Sequence, residues 1–173
     1  MMICLLRPPA VEAWRFSSAT VGPPLGLAYL AGSLEAAGIE FSVVDAVALA
    51  PTTRQRYHKG YLVGLPLDEI VKRIPQDADC LGISIVFTHE WPAVAYLIGL
   101  IKQRRPELTI ICGGEHITSM PEFSLATSLA DVLVLGEGEE TLIDLLKALS
   151  ADGPLKGIPG LVFRDGNSIV TNP

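Results

Sequence analysis

Four short apolar runs in this sequence each lead into segments that carry glycine, proline, charged or small polar residues. Ile3-Cys4-Leu5-Leu6 leads into Arg7-Pro8-Pro9, and Cys80 to Val86 leads into Phe87-Thr88-His89-Glu90. Leu108 to Cys112 leads into Gly113-Gly114-Glu115-His116, and Val132 to Leu135 into Gly136-Glu137-Gly138-Glu139-Glu140. A fifth segment of this kind, Gly22-Pro23-Pro24-Leu25-Gly26, stands at the start of a helical pattern. In open parallel sheets, ligands bind beyond the carboxyl ends of the strands. Glycine pairs at such ends let something bulky approach the backbone. Each segment also has a plain structural reading. Pro23-Pro24 can start a helix, and Gly113-Gly114 can make a tight strand-to-helix turn. Glu137, Glu139 and Glu140 can complement a helix N-terminus, by about 0.3–1 kcal/mol each. His89 and His116 can be surface histidines. The joint placement of these segments at one edge argues for a ligand site.

Several chemistries are excluded by what is missing. No G-x-x-x-x-G-K-[ST] phosphate loop occurs. The first run is not followed by G-x-G-x-x-G, and the prolines there remove backbone donors that a dinucleotide cradle needs. Acids after the run at Val132 would repel a pyrophosphate. No G-x-S-x-G elbow is present. Two histidines and several glutamates at one edge show no metal-ligand spacing.

The elements that must position these residues alternate regularly. The four runs above and Phe41-Ser42-Val43-Val44 are mostly continuous and β-branched, which marks parallel strands covered on both faces. Three helical stripes lie between them: Leu27, Leu30, Ala31, Leu34; Val94, Leu97, Ile98, Ile101; and Leu142, Leu145, Leu146, Leu149. Gly38 is expected to end the first helix. Thr88 is expected to cap the second, with Pro92 in its first turn. A weaker helix is expected with Asp68 as cap and Ile70, Val71 and Ile74 inward, and another over Pro121 to Leu129. The alternation predicts an α/β, Rossmann-like, doubly wound parallel sheet of five strands in the flavodoxin-like order 2-1-3-4-5. Residues 46–66 read as a long connection, carrying the basic cluster Arg54, Arg56, His58, Lys59 as a solvated loop. Two β-rich runs flank Asp165-Gly166-Asn167 and predict a C-terminal β-hairpin. The hairpin is followed by Asn172-Pro173 without a closing element, so the sequence reads as part of a longer protein.

Composition narrows the class. The chain has 173 residues, 49% of them hydrophobic, enough for one core. The formal charge of -6 argues against a nucleic-acid partner. No apolar run reaches the roughly 18 residues of a membrane span, and the N-terminus reads as a strand rather than a signal peptide. Cys4, Cys80 and Cys112 fit no metal spacing and read as buried thiols. The expected compartment is the cytoplasm.

The residues in this order also resemble a known family. Pro23 to Ala31, then Gly38, Asp45, Gly82-Ile83-Ser84, Gly113-Gly114-x-His116 and Gly136-Glu137-Gly138-Glu139 are similar to the N-terminal cobalamin (B12)-binding domain of cobalamin-dependent radical SAM enzymes. The segment Ile158 to Gly166 resembles the one that precedes their radical SAM barrel. The resemblance spans about residues 2–172. It implies a cobalamin-binding domain over residues 1–157 and a hairpin over 158–173 leading to a radical SAM domain. The nucleotide tail of cobalamin would enter the domain and the corrin would lie over the loops. Pro24, Leu25, Gly26, Ser84, Phe87, Thr88, Gly113, Gly114, His116, Gly136, Glu137, Gly138 and Glu139 would contact the cofactor. Catalysis, often methyl transfer, would take place in the following domain, with S-adenosylmethionine and a [4Fe–4S] cluster held by C-x-x-x-C-x-x-C. This chain has no such motif. It also lacks the D-x-H-x-x-G whose histidine ligates cobalt in many B12 domains, since Arg7-Pro8-Pro9-Ala10-Val11-Glu12 stands there. The lower axial position is thereby open, with His89 and His116 as the candidate ligands. Two rival readings stand beside this one: a degenerate domain that binds a substrate or partner without cofactor, and a stand-alone nucleotide-binding enzyme.

Overall fold

Side chains alternate across a strand, so a run that is apolar at every position needs cover on both faces. The computed structural model describes residues 1–13, 22–166 and 168–173 and supplies that cover. In chain order the elements are β1 (Ile3–Arg7), β2 (Ala10–Ala13), α1 (Leu25–Ala36), β3 (Phe41–Asp45), α2 (Ala46–Leu49), β4 (Arg54–Tyr57), β5 (Gly60–Val63), α3 (Leu67–Arg73), β6 (Cys80–Ser84), α4 (Trp91–Arg104), β7 (Thr109–Gly113), α5 (Glu115–Ser119), α6 (Pro121–Thr127), β8 (Val132–Val134), α7 (Glu139–Ser150), β9 (Leu161–Asp165) and β10 (Ser168–Thr171).

Among the described residues the main sheet runs β10-β9-β8-β7-β6-β1-β3. Its five parallel strands follow the expected order, with β1 between β3 and β6. The sheet has seven strands, not five, because the C-terminal hairpin joins it: β9 pairs antiparallel with β8. The hairpin turn contains Gly166 at φ +58°, and Asn167 lies outside the described residues. On one face α1 and α7 cover Ile3, Leu5, Cys80, Ile111, Val132 and Val134. On the other, α3, α4 and α6 cover Leu81, Ile83, Ile85, Ile110 and Cys112. All three predicted helical stripes face these cores. The three cysteines are buried free thiols, and burial pushes the Cys80 thiol up to about 11. Among the described residues, no helix is long and apolar enough to cross a membrane.

Several local expectations are corrected. Residues 46–66 are not a loop. They form α2, β4 and β5, and β5 pairs with both β2 and β4 in a second, antiparallel sheet. The basic cluster lies on β4 and its turn, where Arg54 pairs with Glu12 at 3.1 Å. Thr88 does not cap α4: a 3-10 turn occupies Thr88–Glu90, and the helix starts at Trp91 with Pro92 in its first turn. Asp68 lies within α3 rather than at its cap, and Lys72 bridges it and Glu69. Gly38 ends α1 as expected, at φ +68°, with its N–H on the Glu35 carbonyl.

Candidate functional site

The strand β6 divides its side chains between two different surroundings. Leu81, Ile83 and then Ile85 point into the packed face. Gly82 and Ser84 point the other way, toward α1 and α7, as Cys80 does. On β7, Gly113 follows Ile111 onto the same side. Where the packed face carries large aliphatic groups, this face carries Gly82, Ser84 and Gly113 at its carboxyl end. The missing side chains leave a cleft of about 210 Å³ between the sheet and the two helices.

Leu5, Gly82 and Ile111 form its floor, Leu27, Leu30 and Leu142 its helical walls, and Ser84, Gly113, Gly114 and Gly136 to Glu139 its mouth. The neighbours of the lining glycines stand close to where a side chain would begin. A Cβ on Gly82 would lie 3.1 Å from Leu5 Cδ2 and 3.3 Å from Ile3 Cδ1. A Cβ on Gly138 would meet Leu30 Cδ2 at 3.4 Å. Gly114 turns the chain from β7 into α5 at φ +102°, and a Cβ there would lie 2.5 Å from the Ile85 carbonyl oxygen. That carbonyl accepts the His116 backbone N–H. Only glycine fits both the turn and the approach.

Of the residues expected at the site, Gly26, Ser84, Gly113, Gly114, Gly136, Glu137, Gly138 and Glu139 line the cleft together. Pro24 precedes α1 as its cap residue, with its carbonyl accepting the Ala28 N–H. Leu25 and Phe87 are exposed near the opening, at 65% and 57%. Thr88, on the exposed 3-10 turn after β6, and His116 do not line the cleft. His116 is 1% exposed. Its Nδ1 is 3.2 Å from Thr88 Oγ1 and its Nε2 is 3.2 Å from Ser124 Oγ. Ser124 Oγ donates to the Met120 carbonyl, so it accepts from His116 Nε2–H, and Nδ1 accepts from the Thr88 hydroxyl. Trp91 packs on the imidazole at 4.9 Å between centroids. Burial holds this histidine below its ordinary pKa. His89 stacks on Phe87 and places Nε2 3.1 Å from the Val11 carbonyl. Neither imidazole lines the cleft. Among the described residues no cluster of three metal-ligating side chains occurs.

The end of β1 is tied down beside this edge. Arg7 pairs with Asp45 at 3.3 Å and donates to the Gly22 carbonyl. Asp45 in turn accepts from the Val47 and Ala48 N–H groups and so starts α2. Burial raises the Glu90 carboxyl in the same region.

Sequence reasoning read Leu5, Leu27, Leu30, Ile111, Val134 and Leu142 as core only. A cleft wall and a core position share the same periodicity. Gly82 inside an apolar strand was the available signal, because glycine there marks a missing side chain or a close approach.

A small-residue edge beneath a βα sheet, opening between two helices, defines a ligand-binding Rossmann-like domain. The chain belongs to the B12 binding domain family, whose profile matches residues 13–146. It is 32% identical over its whole length to an uncharacterized methyltransferase of Pyrococcus horikoshii, covering 35% of that protein. It is 30% identical over 93% of its length to the cytidylyl-2-hydroxyethylphosphonate methyltransferase of Streptomyces wedmorensis, covering 31% of it. Among solved structures, the cobalamin-dependent S-adenosylmethionine radical enzyme OxsB, with aqua-cobalamin and S-adenosylmethionine bound, matches with a TM-score of 0.76. The identity is 18%, over 99% of this chain and 22% of that one. The radical S-adenosylmethionine methyltransferase TsrM of Kitasatospora setae, with cobalamin and a [4Fe-4S] cluster bound, matches with a TM-score of 0.73 at 20% identity, over 99% of this chain and 28% of that one. The two structural matches share the fold. The chain spans about a third of the length of these curated relatives.

Proposed function

We propose that this chain is the cobalamin-binding module of a radical SAM enzyme of the methyltransferase type. The observation that carries the reading is the cleft floored by Gly82, beside Ser84 and Gly113. Its volume of about 210 Å³ falls below the roughly 300–1,000 Å³ of pockets that enclose a drug-sized ligand. That suits a bicyclic base with part of its sugar, not a macrocycle. The nucleotide tail would enter between α1 and α7, and the corrin would lie outside, against the exposed Leu25 and Phe87. Ser84 and the carboxylates of Glu137 and Glu139 are placed to meet hydroxyl and amide groups at the mouth. When bound, cobalamin would supply a cobalt centre able to carry a methyl group.

The chain's own residues then bind and orient. Gly82 and Gly113 leave room. Gly114 and the His116–Thr88–Ser124 hydrogen bonds fix the loops after β6 and β7. The buried placement of both His116 ring nitrogens supports a role in holding the loops rather than in ligating cobalt. The hairpin over 158–173 would lead into a domain holding S-adenosylmethionine and the [4Fe–4S] cluster. The free thiols and the absence of a membrane-spanning helix among the described residues support a cytoplasmic setting.

The test is reconstitution. The chain is incubated with hydroxocobalamin and desalted, and its visible spectrum is recorded. Corrin absorbance near one equivalent is expected. A folded chain that elutes colourless would overturn the reading.

A further inference from the structure

Resting on that reading, we infer that the cleft selects the base at the end of the nucleotide tail: it accepts dimethylbenzimidazole and rejects adenine. The walls and floor are aliphatic, from Leu5, Leu27, Leu30, Ile111, Val134 and Leu142. Along the floor the backbone offers the base little, since Leu5, Gly82 and Ile111 are paired in the parallel ladder. The uncapped first N–H groups of α1 and α7 stand at the opening. At the mouth, the Gly113 carbonyl accepts from Ile85 N–H at 2.9 Å and the Gly114 carbonyl from Thr118 N–H at 3.0 Å. The Gly138 carbonyl accepts from Leu142 N–H at 2.8 Å, and the Gly136 N–H donates to Thr118 Oγ1 at 2.9 Å. Among the described lining residues, the side-chain polar groups are the Ser84 hydroxyl and the Glu137 and Glu139 carboxylates, all at the rim.

This polarity pattern suits one base chemistry. Dimethylbenzimidazole presents a fused ring and two methyl groups to the walls. Its one uncoordinated ring nitrogen needs a single donor, which the Ser84 hydroxyl supplies. Adenine presents an exocyclic amine and further ring nitrogens. Deep in the cleft these would leave water without a partner, and a buried polar group without a partner is disfavoured. A site lined for apolar contact therefore discriminates against the purine by lost hydration rather than by size.

The full chain is titrated by equilibrium dialysis with three corrinoids, followed by corrin absorbance. These are cobalamin, the cobamide that carries adenine in place of dimethylbenzimidazole, and cobinamide, which has no nucleotide tail. Cobalamin is expected to bind about 10- to 100-fold more tightly than the adenine cobamide, as one or two buried unpaired polar groups would dictate. The adenine cobamide is expected to fall near cobinamide. Equal affinity for the two cobamides, both well above cobinamide, would overturn the base selection and leave the tail-in-cleft reading intact. Equal affinity for all three would overturn both.

Discussion

The two faces of the main sheet are built from the same strands and end differently. Under α3, α4 and α6, the inward positions on β6 are filled by Leu81 and Ile83, Ile85 continues them just past the strand, and the face is closed. Under α1 and α7, the same strand runs Cys80, Gly82, Ser84, and the face opens into a cleft at its carboxyl end. One face holds the fold together, and the other has given up side-chain volume where a ligand would lie. Substitutions should therefore separate the two: on the closed face they should change stability, and on the open face they should change binding.

The largest effect is expected on the closed face. Leu97 is fully buried against the sheet, and Leu97→Ala should destabilise by about 2–5 kcal/mol through lost burial and the cavity left behind. Urea denaturation measures it, and the folded fraction should retain its corrinoid affinity. A Leu97→Ala protein of unchanged stability would break the comparison.

His116 joins the closed face to the mouth of the open one, so its loss should register on both. His116→Ala should cost about 2–3 kcal/mol, because the Thr88 and Ser124 hydroxyls lose their partner and the space under Trp91 empties. A pH signature follows from burial, which depresses the folded-state pKa. The stabilising contribution is complete above the ordinary value of about 6.5. It is lost as the pH falls through the lower folded value, because the unfolded chain takes up the proton first. Denaturation midpoints across that window should fall in the wild type and flatten in His116→Ala.

Gly113→Leu should do the reverse of Leu97→Ala. A Cβ at Gly113 meets nothing closer than 3.5 Å, so the fold should lose little, while the larger side chain crosses the mouth. Corrinoid affinity should drop about 10-fold, equivalent to roughly 1.4 kcal/mol, as read by absorbance titration. The smallest effect is expected for Thr88→Val, which removes one hydrogen bond to His116. Its cost is about 1 kcal/mol in stability, measured by thermal unfolding.

The parallel core was legible because its signals are local. Five apolar runs and three stripes each declare their own element, and the right-handed crossover rule orders them. The small sheet was not legible. Its strand β5 pairs Leu62 with Val11, two residues about fifty positions apart, and β4 is a short polar strand that no periodicity distinguishes from a loop. Thr88 failed as a cap for a similar reason: its hydroxyl is engaged by His116, a partner that only the fold brings near. At the site, the glycines after β7 and β8 were legible as a group, and Gly113, Gly114, Gly136 and Gly138 do line one cleft. The aliphatic walls were not, since Leu30 or Leu142 reads the same whether it faces a neighbour or a cleft. Gly82 carried the missing information, as a side chain absent from the middle of a buried strand.

That residue gives the most direct test of the whole account. A valine at Gly82 would place its branches against Leu5 and Ile3, where a Cβ alone already lies within 3.3 Å, and would fill the floor. Wild type and Gly82→Val, both verified as folded by circular dichroism, are titrated with cobalamin and with cobinamide. Gly82→Val should lose cobalamin affinity down to the cobinamide level while cobinamide binding stays unchanged. A folded Gly82→Val that binds cobalamin as the wild type does would contradict the placement of the nucleotide tail in this cleft.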